Sequence, residues 1–409
     1  MPVAADNLTA TCVIAGGGPA GMMLGYLLAR AGVEVAVLEK HADFLRDFRG
    51  DTIHPSTLEV MYELGLLDEF LKLPHQDVRE LTGQVGSLGI TLADFSHVPT
   101  HCKFIALMPQ WDFLNFLAQH AGRYPGFRLL METEATDLII EGGRIVGIRA
   151  RTKDGALEAR ADLVVAADGR GSVLRERARL SIVDLGAPMD VLWFRLSRRP
   201  GDSAQVMGRF DRGRIFVMIN RGGYWQCGFV IAKGRNEEIR REGLEAFRAR
   251  VAQAGPQFKD RVGEITDWEQ VKLLTVRVDR LKEWFRPGLL CIGDAAHAMS
   301  PVGGVGINLA IQDAVAAANI LAAPLKEKRL TPDDLRRVQQ RREWPTRVTQ
   351  ALQVAVQKRV IARALDETEP FHPPLLVRWM AKIAFLRRIP ARLIGVGVRP
   401  EHVSTAILK

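Results

Sequence analysis

The chain is poor in the features that mark several specialised classes of protein. It has four cysteines in 409 residues, Cys12, Cys102, Cys227 and Cys291, and no CxxC pair. That spacing suggests neither a metal cluster nor a disulfide framework, and it suits a reducing compartment. Three of the four sit in apolar, strand-like stretches, where a thiol packs as a small hydrophobe. Histidine spacing offers no metal site either. The longest apolar runs, such as DLVVAAD and GLLCIGDAA, are too short to span a bilayer. Residues 1–6 lack the basic start of a secretory signal, so a cytoplasmic protein is expected. No internal repeat or low-complexity tract interrupts the sequence.

Negative charge is also in deficit, with 47 Asp and Glu against 56 Lys and Arg and a formal net charge of +9. Much of the arginine excess falls in residues 326–399. There is no recognisable nucleic-acid module, and the basic residues are not interleaved with aromatics on a strand face, so no nucleic-acid partner is expected. Three readings of the charge stay open: a solvated helical surface, attraction for anionic cofactors, or contact with an anionic membrane surface. At 47% hydrophobic and 25% charged residues, the composition suits a soluble globular protein of two or three domains.

What is present is glycine in two informative places. VIAGGGPAG, near the start, reads as strand, tight turn and helix, with Gly16, Gly18 and Gly21 in the G-x-G-x-x-G pattern and Glu39 closing the next strand. The first glycine allows the turn, the second lets backbone approach a pyrophosphate, and the third lets helix pack on strand. An acid at Glu39 can take both hydroxyls of an adenosine ribose, which fits FAD or NAD better than NADP. Nearly 300 residues later, CIGDAAHAMSPVGGVGINLAIQDA reads as a strand ending at Gly293-Asp294, a glycine loop, and a helix from about Ile307. A carboxylate there can bind ligand hydroxyls, and the bare amides of the helix start can hold delocalised negative charge.

Between these lie further elements. HPSTLEVMYELGLLDEFLK reads as a helix with Pro55 in its first turn, and MPQWDFLNFLAQHAG as another. Residues 134–166 read as three strands joined by a Gly-Gly hairpin and an Asp-Gly turn. DVLWFRL, AQVMGRF, RIFVMI, YWQCGFVIA and VKLLTVRV read as strands, with NEEIRREGLEAFRARVAQAG helical between the last two.

With LVVAADGRGSVLR as a middle element, the chain resembles the single-component FAD-dependent aromatic hydroxylases typified by para-hydroxybenzoate hydroxylase. The three fingerprints are carried by Gly16 to Gly21 with Glu39, by Asp168, Gly169, Ser172 and Arg175, and by Gly293 to Ala314. The resemblance covers residues 10 to about 320. It implies a mixed α/β fold, in which a Rossmann-like FAD-binding domain carries an inserted β-sheet substrate domain and C-terminal helices. The expected division is 1–75, 106–180 and 281–325 for the FAD-binding parts, 76–105 and 181–280 for the substrate domain, and 326–409 for the helical region.

By position, the resemblance implies that Gly16, Gly18, Pro19, Ala20 and Gly21 cradle the pyrophosphate, with Glu39 and neighbouring Lys40 at the ribose. Arg49, and more weakly Arg46, would reach the phosphates, and Gln110 would touch the ribityl chain. Asp168 would support FAD and the passage of the nicotinamide cofactor. Gly293 and Asp294 would meet the ribityl hydroxyls, and Gly304, Gly306, Ile307 and Asn308 the flavin ring. Pro301 would shape the oxygen-reactive face and is the one candidate for a catalytic role. His54 reads as a helix-start residue and His297 as a packing or capping one.

The implied chemistry is reduction of FAD by NADH or NADPH as a transient reductant, addition of O2 to give a flavin C4a-hydroperoxide, and transfer of one oxygen to an electron-rich aromatic. On YWQCGFVIA, Tyr224 and Gln226 share one face and Trp225 the other, and all three are candidate substrate residues. Only Tyr224 of four tyrosines falls in that sheet, which disfavours a para-hydroxybenzoate-like substrate and points to a bulkier, polycyclic one. An FAD-dependent reductase or dehydrogenase acting on a lipophilic or quinone-like substrate is the alternative. At the C-terminus Trp379, Met380, Ile383, Phe385 and Leu386 precede Arg387, Arg388 and Arg392. That run reads either as a helical cap packed on the FAD-binding domain or as a peripheral membrane contact. The chain is expected to be a monomer or homodimer.

Overall fold

The computed structural model describes residues 6–45, 52–86, 88–202, 207–211, 213–366, 379 and 382–408. Arg46, Arg49 and Met380 lie outside the described residues. An eight-stranded sheet forms the first body. Its parallel core runs Leu289–Cys291, Ala156–Ala166, Asp6–Ala15, Val35–Leu38, Phe127–Leu130. Cys12, Val13 and Ile14 are fully buried on both faces, as a central parallel strand requires. The 134–166 meander forms as expected, with Gly142 and Gly143 at positive φ in its hairpin.

Two helices cover this sheet. Pro19–Arg30 packs through Gly25, where an added Cβ would lie 2.8 Å from Val37. Gly306–Lys326 is apolar on nearly every side and is long and apolar enough to cross a membrane, yet it lies in the core, a buried helix of the kind alanine-rich packing allows.

The second body is a seven-stranded sheet ordered Lys272–Leu274, Met189–Ser197, Tyr224–Ala232, Arg214–Asn220, Met207–Asp211, Glu80–Val85, Leu88–Asp94. The Glu80–Asp94 hairpin joins its edge by parallel pairing with Met207–Asp211. One face packs on the Leu244–Ala254 helix through Phe194, Phe216, Trp225, Phe229 and Phe247. The other turns toward the first body, where Val191, Ile215 and Val230 cluster with Val302.

Three elements differ from the sequence reading. The helix from Pro55 stops at Glu63 and resumes at Leu67, because Gly65 takes φ +71 between them. The helical stretch after Arg235 is likewise divided at Gly243, φ +94. VKLLTVRV is a strand only over Lys272–Leu274, in the large sheet, and the chain then runs irregularly to a separate strand, Asp279–Leu281, in a three-stranded sheet with His297–Ala298. The Arg-rich C-terminal stretch contains a 25-residue helix, Pro332–Val356, capped by Thr331 and Asp334.

Candidate active site

The three glycine and acid motifs converge. Gly16 sits at φ +105 so close to the end of strand Ala156–Ala166 that a Cβ would lie 2.3 Å from the Ala167 carbonyl oxygen and 2.9 Å from Asp168 N. A Cβ on Gly21 would lie 2.0 Å from Gly16 O. Gly293 is packed on the same helix, 3.0 Å from Ala20 by the same measure. Gly18 differs, because nothing lies within 4 Å of its Cβ position, so that side of the helix start is open. The Pro19–Arg30 helix has no side-chain cap and no acid in its first turn, leaving its amides for an anion.

Glu39 is buried and pinned: Gly17 N donates to Oε2 at 2.9 Å and His41 N to Oε1 at 3.0 Å. Each carboxylate oxygen has a second lone-pair site, so the pinned group can still accept from a ribose. Lys40 beside it is exposed. Gln110 opens the Gln110–Ala121 helix, partly exposed. Asp168 accepts from Leu174 N at 3.3 Å through Oδ2, while Oδ1 is buried with no partner. Burial pushes its carboxyl above the ordinary range, against the lowering effect of the Ser172 side chain and of nearby backbone amides, Leu174 among them.

Two arginines, Arg175 of the middle fingerprint and its unassigned neighbour Arg170, tie the second motif to the third. Arg170 Nε donates to Asp294 Oδ2 at 3.0 Å, both half-exposed, so Asp294 presents a paired rather than a solitary carboxylate. Arg175, buried, donates to Ala295 O at 3.1 Å and to Arg170 O at 2.6 Å. The signal for Arg170 was its place between the two glycines of DGRG.

The glycine loop is held from both sides. On one side Thr52 Oγ1 donates to Gly304 O at 2.9 Å, and His54 N and Thr57 Oγ1 both donate to Asn308 Oδ1. His54 is fully buried, and its Nδ1 lies 2.8 Å from Ile394 O, so that nitrogen carries the proton. Burial pushes its imidazole down to about 4, only partly opposed by the Ile394 bond. On the other side the 332–356 helix presents a buried polar stripe that continues past its end to Gln357. Gln339 bonds Lys282 O and Trp284 N, Gln350 bonds Asp279 O and Ala298 O, Gln353 bonds Ser300 O and Val302 O, and Gln357 bonds Ser300 Oγ. Pro301 lies within this clamped stretch as the cap of the short turn Val302–Gly304.

Asp313, fully buried, joins the motif internally. It accepts from Gly293 N at 3.0 Å, contacts His297 Nε2 at 2.6 Å, and accepts from Arg342 Nε at 3.0 Å. Arg342 also reaches Glu401 at 3.2 Å. His297 is therefore a packed structural residue, tilted against Trp284.

His54 carries a testable consequence. Its folded-state pKa lies below its ordinary 6.5, so between pH 6.5 and 4 the unfolded chain takes up a proton that the folded chain refuses. Stability should therefore fall by about 1.4 kcal/mol per pH unit across that window, to a total of about 3 kcal/mol. Urea midpoints of the wild type and His54→Gln at pH 7, 6 and 5 check this; parallel slopes would remove the assignment.

The open side of the Gly18 turn, the pinned Glu39, the unpartnered Asp168 Oδ1 and the uncapped helix start at Gly306, whose Cβ position is also empty, form a cradle that fits FAD. On the second sheet, strand register puts Trp193, Phe210, Val217, Gln226 and Gly228 on the Val191–Val230 side, the side that clusters with Val302 of the glycine loop. Trp193 ring atoms lie 2.9–3.2 Å from a Cβ on Gly228, and Phe210 lies 3.2 Å from one on Gly208, so both rings lie low over glycine. Gln226 is buried, with Arg221 Nε donating to its Oε1 at 3.0 Å, and Arg195 lies over the Tyr224 ring. Trp225 is not on this face: it packs edge-on against Phe258, and its Nε1 donates to Asp202 at 2.9 Å. Strand alternation sends it to the opposite side from its neighbours Tyr224 and Gln226.

Fold and cradle together define a flavoprotein oxidoreductase. Residues 9–351 match the family model described as FAD binding domain. The chain is 30% identical over 399 residues to the 6-methylpretetramide 4-monooxygenase of Streptomyces rimosus, covering 95% of this chain and 93% of that one. Among solved structures, para-nitrophenol 4-monooxygenase PnpA of Pseudomonas putida DLL-E4 superposes with TM-score 0.77 at 19% identity, covering 96% of this chain and all of the other. OxyS anhydrotetracycline hydroxylase of Streptomyces rimosus gives 0.75 at 22%, covering 96% and 77%. The chain belongs to the FAD-dependent aromatic monooxygenases of the para-hydroxybenzoate hydroxylase type, and is an enzyme of that family.

Proposed function

We propose that this protein is an NAD(P)H- and O2-dependent monooxygenase that hydroxylates a flat, polycyclic phenolic substrate by the flavin C4a route implied by the family resemblance. The observation that carries the substrate class is the face made by Trp193 and Phe210. Two aromatic rings laid over Gly228 and Gly208 make a broad, low apolar wall on the side of the sheet that clusters with Val302 of the glycine loop. Such a wall stacks an extended ring system better than a single small ring. The relative named for 6-methylpretetramide supports the same reading.

Bound FAD would supply electron transfer from NAD(P)H and activation of O2. The chain's own residues do the rest. Gly16, Gly18, Gly21, Glu39, Asp168 and Asp294 would hold the cofactor's chain, and the uncapped Gly306–Asn308 turn would stabilise negative charge on the ring edge. At the polar end of the wall, Gln226, oriented by the Arg221 cation, would bond a substrate oxygen and favour its electron-rich phenolate form. The apolar cluster of Val191, Ile215, Val230 and Val302 keeps water from that space.

A panel of one-ring and polycyclic phenols tests the reading, scored for stimulated NAD(P)H oxidation together with a product that gains one oxygen. Polycyclic phenols should give both; oxidation of NAD(P)H with substrate reduced or unchanged would overturn it in favour of a reductase. Gly228→Ala would push its Cβ to 2.9 Å from Trp193 Cζ3 and tilt the wall. It should cut kcat/KM about 10-fold for polycyclic substrates, and less for one-ring phenols, with FAD content unchanged.

A further inference from the structure

The segment 371–400 contains six basic residues, Arg378, Lys382, Arg387, Arg388, Arg392 and Arg399, and no aspartate or glutamate. Its described part ends in the turn Ala384–Arg387 and the helix Arg388–Gly395. One side of that helix is docked: Ala391 is fully buried, and a Cβ on Gly395 would lie 3.0 Å from the Phe95 ring. The other side displays its largest apolar groups. Phe385 is 64% exposed, Ile389 54% and Leu393 38%, at four-residue spacing, with Ile383 and Trp379 (59%) exposed beside them. Lys382, Arg388 and Arg392 stand exposed around these groups, and the Arg388 guanidinium lies 5.3 Å over the Phe385 ring.

A helix docked by alanine and glycine while presenting phenylalanine, isoleucine and leucine is inverted for a protein that meets only water. We propose that this face is a peripheral membrane-docking surface for an anionic phospholipid bilayer. Apolar side chains at helical spacing enter the headgroup boundary, surrounding cations meet lipid phosphates, and tryptophan suits the interface. A second copy of the chain is the poorer fit, because it would bring two acid-free, basic segments face to face. An acidic protein partner would answer the cations but leave the outward apolar row unexplained.

Co-sedimentation of the FAD-loaded full chain with vesicles decides the matter. At low salt, binding to equimolar phosphatidylglycerol and phosphatidylcholine should exceed binding to phosphatidylcholine alone by about 10-fold or more, and high salt should weaken it. F385S/I389S should lower binding about 10-fold or more, and R388Q/R392Q should do so on anionic vesicles only, at roughly five-fold per charge. Because these side chains are exposed, melting temperature and turnover of a soluble substrate should stay unchanged. No binding at low salt, or binding that both double variants retain, overturns the proposal. So does self-association in buffer that F385S/I389S abolishes while wild type ignores vesicles.

Discussion

Arg342→Met should remove about 3–5 kcal/mol of stability and most of the chain's grip on FAD, although the side chain lies in a helix that has no part in the glycine motifs. Arg342 is 2% exposed and pairs with two buried carboxylates, Asp313 and Glu401. Methionine fills much of the same space but strips a cation from both acids, leaving Glu401 with Arg341 at 2.7 Å and Asp313 with His297 at 2.6 Å, and a buried charge that loses a partner costs more than the lost pair contributed. Asp313 in turn orients Gly293 N, so the loop that would carry the flavin loses its anchor.

The pH dependence has a definite sign. Burial pushes the Asp313 carboxyl up, but His297 and Arg342 more than offset it, so its folded pKa lies below the ordinary value. That stabilisation is present above the unfolded pKa, near 3.9, and is lost as pH falls through the still lower folded one. Without Arg342 burial gains the upper hand, and the carboxyl rises. The gap between wild type and variant should therefore be widest near neutrality and close toward acid. Urea midpoints against pH, with flavin retention after gel filtration, measure both effects; an unchanged midpoint with full flavin would remove the network from the account.

This network also shows where the sequence is legible and where it is not. The motifs around Gly16, Asp168 and Asp294 could be read because each uses residues with a single dominant reason: a glycine where no Cβ fits, an acid at a strand end, a bare helix start. Their meeting could be expected too, and the structure brings Gly16 onto Ala167, Gly293 onto Ala20 and Arg170 onto Asp294. The inner row of the 332–356 helix was hidden. Gln339, Arg342, Thr346, Gln350, Gln353 and Gln357 recur at three- and four-residue spacing, as a buried stripe does, but their polar identity reads as a solvated surface. The glutamines among them are buried because they hydrogen-bond backbone that short strands and loops between Asp279 and Val302 leave over, and Arg342 because it pairs with Asp313 and Glu401. Hydrophobic periodicity cannot register such a stripe. Trp225 failed for the opposite reason, since alternation divides a strand's faces without saying which one meets the cofactor, and only its packing on Phe258 decides.

A paired substitution in the first glycine turn should separate the two jobs that its residues perform. Gly16→Ala places a methyl 2.3 Å from Ala167 O and 2.6 Å from Ala167 C, at a φ of +105 that L side chains rarely adopt. The obstruction is backbone in the adjacent central strand, so neither side can yield without parting Asp6–Ala15 from Ala156–Ala166. Overpacking and the backbone strain together should cost about 3 kcal/mol or more, and FAD binding should fail with the fold. Gly18→Ala is the opposite case. Its φ of −74 suits alanine and its Cβ would meet nothing within 4 Å, so the unliganded protein should melt as wild type does. Yet that empty side is where a pyrophosphate would approach, and a methyl there should weaken FAD binding on the order of 100-fold. Melting curves of the unliganded chains, with flavin titration followed by fluorescence, read the two effects separately. If Gly18→Ala bound FAD normally, the pyrophosphate would have to lie elsewhere, and the assignment of this turn to it would fall even with the fold intact.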